Sequence, residues 1–177
     1  MSITKIKSPA GKAVAHKTSS SSEPAIGLEN RTRKDVVESL THALADTYLL
    51  QVKTQYYHWN VTGPQFSSLH LLFEGQYNAL AAAVDEYAER IRALGAFSPG
   101  TFREFEALSN LKEDKALPES WEAMVRNLLD ANEAVARNIR QAIGDIEDTG
   151  DEGTTDLFVR RIQEHEKAAW MLRSLLQ

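Results

Sequence analysis

The stretch from Tyr56 to Leu94 gathers five residues of types that hold metal ions: His58, His70, Glu74, Asp85 and Glu89. Imidazole nitrogen and carboxylate oxygen together suit divalent first-row metals, and an incompletely filled sphere of such donors leaves room for an oxidant on iron(II). His70 and Glu74 are four apart, as are Asp85 and Glu89, so each pair shares one helix face if the segment is helical. Two such metal sites close together would pass electrons to peroxide in pairs, which avoids releasing hydroxyl radical.

The segment has helical period. Phe73, Tyr77, Leu80, Val84, Tyr87, Ile91 and Leu94 recur at steps of four and three, an apolar seam that faces the helix's own bundle. His70, Glu74, Asp85 and Glu89 fall on a second face, on average about 120° from the seam. With a rise of 1.5 Å per residue, His70 and Glu89 are roughly 28 Å apart and Glu74 and Asp85 roughly 16 Å. Ligand bonds of about 2.0 to 2.2 Å cannot gather all four onto one metal within one helix. Two copies meeting antiparallel across a two-fold axis can, because such a contact pairs each residue with a fixed complement. The positions 70 and 89 share the sum 159 with 74 and 85, so one register sets His70 opposite Glu89 and Glu74 opposite Asp85. Asn78 then faces Ala81 near the centre with Ala82 alongside, small enough for close approach. Each pair alone reads first as solvated polar residues on an exposed face. The shared sum and the separate seam bring the metal site level with that reading.

The run His58-Trp59-Asn60-Val61-Thr62-Gly63-Pro64, followed by His70, Glu74, Asp85 and Glu89 at their spacings, resembles the ferroxidase signature of the Dps family (DNA protection during starvation), within the ferritin-like superfamily. The resemblance covers about residues 30 to 177. It implies an iron centre of two sites between two-fold-related subunits, with His58, His70 and Glu74 from one and Asp85 and Glu89 from the other. It also implies oxidation of Fe2+, preferably by hydrogen peroxide, ferric mineral stored in a hollow dodecameric shell, protection of DNA, and a cytoplasmic, nucleoid-associated location. Many members carry Asp where this chain has Glu74; glutamate keeps the charge and reaches one methylene further.

The fold expected to position these residues is all-α: a four-helix bundle of the ferritin-like kind with a short helix in the long crossover between helices 2 and 3. The first helix runs from an N-cap at Asn30 or Thr32 to about Trp59, with Val36, Leu40, Leu44, Tyr48, Val52 and Tyr56 as its apolar side. The second is capped by Ser67 and stops at Gly95. The crossover carries a short helix over 102–108. A third helix starts near Glu119 or Ser120 with a stripe from Trp121 through Met124, Val125, Leu128, Val135, Ile139 and Ile143 to Ile146. The fourth runs from about Thr154 through Leu157, Ile162, Ala169, Leu172 and Leu176. His58 on its own, and His16, His42 and His165, read as packed or solvated residues; the resemblance promotes only His58. Trp59 reads as a packing anchor, and the resemblance adds a role as a redox-active aromatic. Asp130, Glu133, Asp145 and Glu147 are either solvated or line an iron entry pore.

Several function classes drop out. The chain has no cysteine, so it forms no disulfide or thiolate site. It has no Gly-rich phosphate loop, no nucleophile triad, no membrane-length apolar run and no apolar h-region behind its N-terminal lysines.

Charge is uneven: Lys5, Lys7, Lys12 and Lys17 give residues 1–22 a charge of +4 without an acid, leaving −9 on the remainder of a chain whose net charge is −5. Residues 1–29 form a flexible Lys-containing arm ahead of a bundle domain at 30–177. Such an arm neutralises phosphates on duplex DNA without reading sequence; alternatively it is a solubilising tail. Three readings follow. The protein is a ferroxidase and iron store whose arm binds DNA, a nucleoid-compacting particle with a vestigial metal site, or an iron cage that does not bind DNA.

Overall fold

A computed structural model of the protein describes residues 23–177. His16 and the lysines of the arm, Lys5, Lys7, Lys12 and Lys17, lie outside them. The described residues form four long α-helices and a short one, α1 (Asn30–Asn60), α2 (Phe66–Ala93), α3 (Phe102–Leu108), α4 (Trp121–Ile146) and α5 (Glu152–Ser174), with one 3-10 turn at Glu147–Thr149. This is the expected four-helix bundle with a short crossover helix. α1 pairs with α2 and α4 with α5, α4 also lies against α1, and α3 packs on the outside of α1. No helix among the described residues is long and apolar enough to cross a membrane.

The α2 seam behaves as its period predicts. Phe73, Leu80, Tyr87, Ile91 and Leu94 are buried, and Tyr77 and Val84 are half-buried beside them. The α1 stripe does not: Val36, Leu40 and Leu44 are buried, but Val52 is exposed. A strict four-residue step turns 400° and so drifts about 40° each time around the helix. The buried face continues instead through Leu50, Thr54 and Tyr57.

α2 ends as expected at Gly95, whose φ is 92°. Ala96 N–H donates to the Ile91 carbonyl and Gly95 N–H to that of Arg92, the paired bonds of a left-handed helix stop. A Cβ at Gly95 would lie 2.9 Å from Pro24 Cδ, so the position needs glycine twice over. Three starts differ from expectation. The N-cap of α1 is Glu29, because Asn30 donates its side-chain amide to Glu23 instead. α2 begins at Phe66, where the chain turns back directly after Pro64, so Ser67 lies inside the helix. α5 begins at Glu152, capped by Asp151, which accepts from Thr154 N–H at 3.0 Å. α4 starts where expected, directly after Ser120, whose side chain caps it by accepting from Ala123 N–H.

Asp151 does more than cap. Its buried carboxylate pairs with Arg90 at 2.5 Å, and Arg90 Nε donates to Thr154 Oγ1 at 2.9 Å, tying the C-terminal turn of α2 to the start of α5. Asp151→Ala removes a cap and the partner of a half-buried guanidinium, so stability should fall by about 2 kcal/mol. Asp151→Asn keeps the cap and should fall less. Guanidinium unfolding of both variants checks the order.

His165 is a core residue of α5, 1% exposed. Asn132 donates its amide to the Leu128 carbonyl, leaving Oδ1 to accept from His165 Nδ1 at 3.0 Å. Burial, with the Arg161 charge nearby, pushes the imidazole down to about 3. The unfolded chain takes up this proton near 6.5 while the folded one stays neutral, so this contribution to stability is lost as pH falls from 6.5 towards 3. The slope is about 1.4 kcal/mol per pH unit. His165→Gln should flatten it by about one proton between pH 6 and 4, read from denaturant midpoints across that range.

Candidate metal centre

His58 is in the last turn of α1 and His70 in the second turn of α2, and the turn at Gly63 (φ 98°) brings them face to face. Their rings stack at 3.8 Å between centroids and 21° between planes. His58 Nδ1 lies 2.9 Å from the His70 carbonyl oxygen, and His70 Nδ1 lies 3.0 Å from the His58 carbonyl oxygen. A carbonyl oxygen only accepts, so each Nδ1 carries the proton and donates it. Neutral imidazole then keeps its lone pair on Nε2, the tautomer that a metal ligand needs, held by a backbone bond on the far ring nitrogen. The two histidines thus lock each other's orientation and join the two helices.

Glu74 follows one turn after His70 and is half-buried, whereas Asp85 and Glu89 are exposed further along α2. Among the described residues no three His, Asp or Glu side chains of one chain gather closely enough to hold an ion. One protomer therefore brings together His58 and His70, with Glu74 one turn further along α2, and leaves Asp85 and Glu89 apart. This donor set suits iron(II), with imidazole and carboxylate combined.

Trp59 differs from its expected packing role. It is 66% exposed and anchors nothing in its own bundle. It occupies the side of α1 opposite the core, next in sequence to a His58 that turns inward.

Two residues around the histidines escaped sequence reasoning. Phe66 stacks on His70 at 5.0 Å, and Tyr77 meets His58 edge-on at 5.2 Å. The i, i+4 spacing of Phe66 and His70 carried the first signal; Tyr77 was accounted for only as part of the seam. His42 donates from Nδ1 to the Leu108 carbonyl at 2.8 Å, a structural bond to the crossover. Of the acids on α4 and just beyond it, Asp130, Asp145 and Glu147 are exposed, while Glu133 pairs with Arg173 at 2.5 Å and with Arg137 at 3.8 Å.

Residues 37–177 match the family described as the ferritin-like domain. The chain is 37% identical over 143 residues to DNA protection during starvation protein 2 of Bacillus anthracis, which covers 81% of this chain and 97% of that protein. It is 43% identical over 153 residues to a low temperature-induced protein of Nostoc sp., with 86% of each covered. Among solved structures, the Dps protein of Vibrio cholerae O1, described as a member of a broad superfamily of ferritin-like diiron-carboxylate proteins, aligns with a TM-score of 0.83 at 31% identity. The alignment covers 90% of this chain and 100% of that one.

Proposed function

The chain belongs to the Dps family of ferritin-like proteins, and on that premise we propose that it is a ferroxidase and iron-storage protein. It takes Fe2+ as substrate at sites between two-fold-related subunits, oxidises it preferably with hydrogen peroxide, and keeps the ferric product inside a dodecameric cage. The observation that carries this reading is the reciprocal bond between His58 and His70, which leaves both Nε2 atoms free as donors.

Each site takes His58, His70 and Glu74 from one subunit and the partner subunit's Asp85 and Glu89. The imidazoles bind without adding charge, and the three carboxylates offset the positive charge that grows as iron is oxidised. Two Fe2+ give one electron each to one H2O2; its O–O bond breaks, two protons are taken up, and two water molecules and two Fe3+ result. Trp59 is the oxidisable aromatic next to the centre. Exposed Leu71, Asn78 and Ala82 share the helix face of Asp85 and Glu89, and their small or apolar side chains suit close contact with a twin helix.

Titration of the iron-free protein with Fe2+ under argon, followed by peroxide, tests this. The expected result is two Fe2+ consumed per peroxide with no hydroxyl radical trapped. One Fe2+ per peroxide, with radical at the yield of free iron, would rule the reading out. Protection of DNA follows from removal of both Fenton reactants, and the Lys-bearing arm adds non-specific binding to duplex DNA in the cytoplasmic nucleoid. The −9 charge on the remaining residues favours a second reading, a cage that protects without binding.

A further inference from the structure

A cavity of about 320 Å3 opens between α2 and α5, and Leu71, on the face proposed above to meet a twin helix, is among its walls. Arg161 lines it and is only 8% exposed. Unlike the other well-buried arginine, Arg33, which pairs with Glu23, Arg161 enters no ion pair among the described residues, and its Nε donates to nothing. Gln76 lines the same cavity, and both atoms of its side-chain amide are buried without a hydrogen-bond partner. Exposed Glu164 and Lys167 also line it, so with Arg161 the lining carries a net charge of +1, and Arg161 is its buried cation.

A guanidinium largely withdrawn from water without a counter-ion carries a desolvation cost, which a bound anion offsets. Carboxylate is the group whose two oxygens match the guanidinium fork. Asn132 and His165, whose buried Nε2 has no partner, add two further polar groups; the rest of the wall is apolar, with Leu72, Leu80, Ala168 and Met171 among it, and the space is larger than a bare oxyanion fills. Apolar walls around a few convergent polar groups, at this volume, are the usual form of a small-molecule site.

We propose that this cavity binds a small monocarboxylate with an apolar body, its carboxylate on Arg161 and Gln76 and its hydrocarbon against the leucine and methionine walls. None of the proposed iron ligands lines it.

Calorimetric titration of hexanoate into the iron-free, assembled full-length protein tests it, with hexan-1-ol and inorganic phosphate as comparison ligands. Hexanoate should saturate and bind at least about tenfold more tightly than either, because the alcohol lacks the charge and phosphate the apolar body. Arg161→Met should weaken hexanoate at least about tenfold, and Ala168→Leu, which fills the wall and keeps the arginine, should abolish binding. The proposal is overturned by absence of saturable hexanoate binding, by phosphate or hexan-1-ol binding as tightly, or by unchanged affinity in Arg161→Met. If Arg161→Met does not assemble, Ala168→Leu decides alone. Wild-type affinity for hexanoate in Ala168→Leu overturns the proposal and leaves a neighbouring chain's carboxylate as the group that Arg161 awaits.

Discussion

Subunits carrying His70→Ala and subunits carrying Asp85→Ala, each expected to lose iron oxidation by about a hundredfold as pure assemblies, should regain activity when assembled together. The reason is that the proposed site takes these two residues from different chains. In a mixed dimer one site carries both substitutions and the other carries neither. Random pairing at equal amounts makes half the dimers mixed, so about a quarter of wild-type activity should return. Co-expression with two different tags, followed by the initial rate of Fe2+ oxidation with peroxide, gives the number. A mixture of His70→Ala with Glu74→Ala is the control. Both residues lie on the same half, so every site in every dimer is damaged and nothing should return. Activity in the first mixture no higher than the mean of its parents would mean that His70 and Asp85 do not meet across an interface.

That this experiment was suggested by sequence depends on α2. Its seam alternates steps of four and three, so the apolar face stays in one direction from Phe73 to Leu94 and the ligand-type residues are separated from it. α1 was legible in extent but not in facing, because a stripe of fours rotates away from the core before Val52. The helix starts at Asn30 and Phe66 depend on where neighbouring chain lies, and no local residue announces that: Glu23 captures Asn30, and the turn after Pro64 places the start of α2. Trp59 shows a related gap. A large aromatic at a helix end looks the same in sequence whether it faces its own core or another surface, and here it is exposed. Arg161 and His165 were the least visible. One looks like a further charge on a polar helix and the other like an isolated histidine, and only the packing of α5 against α2 and α4 withdraws them from water. The mutual bond of His58 and His70 joins residues twelve apart through backbone carbonyls, which spacing alone does not show.

Removal of residues 1–22 should weaken binding to plasmid DNA about a hundredfold or more at low salt. Those residues hold +4 and the remaining chain −9, so without them the particle presents an acidic body to a polyanion. Each arm that settles its four lysines on phosphates releases counterions, giving a slope of log affinity against log salt of about −3.6 per arm engaged. Many arms on one assembly multiply the effect by raising local concentration, which lets a modest charge per chain matter. Substituting Lys5, Lys7, Lys12 and Lys17 together by Gln keeps the length of the arm and removes its charge, so it should reproduce the deletion if the attraction is electrostatic. Gel shifts of plasmid across a salt series measure both. Undiminished binding by the deleted protein would move the DNA contact to the bundle despite its charge. Equal protection of plasmid from Fe2+ and peroxide by the full-length and deleted proteins, with binding lost only in the second, would assign protection to iron oxidation alone. The cage would then protect DNA without needing to hold it, and the arm would be a means of staying close rather than part of the chemistry.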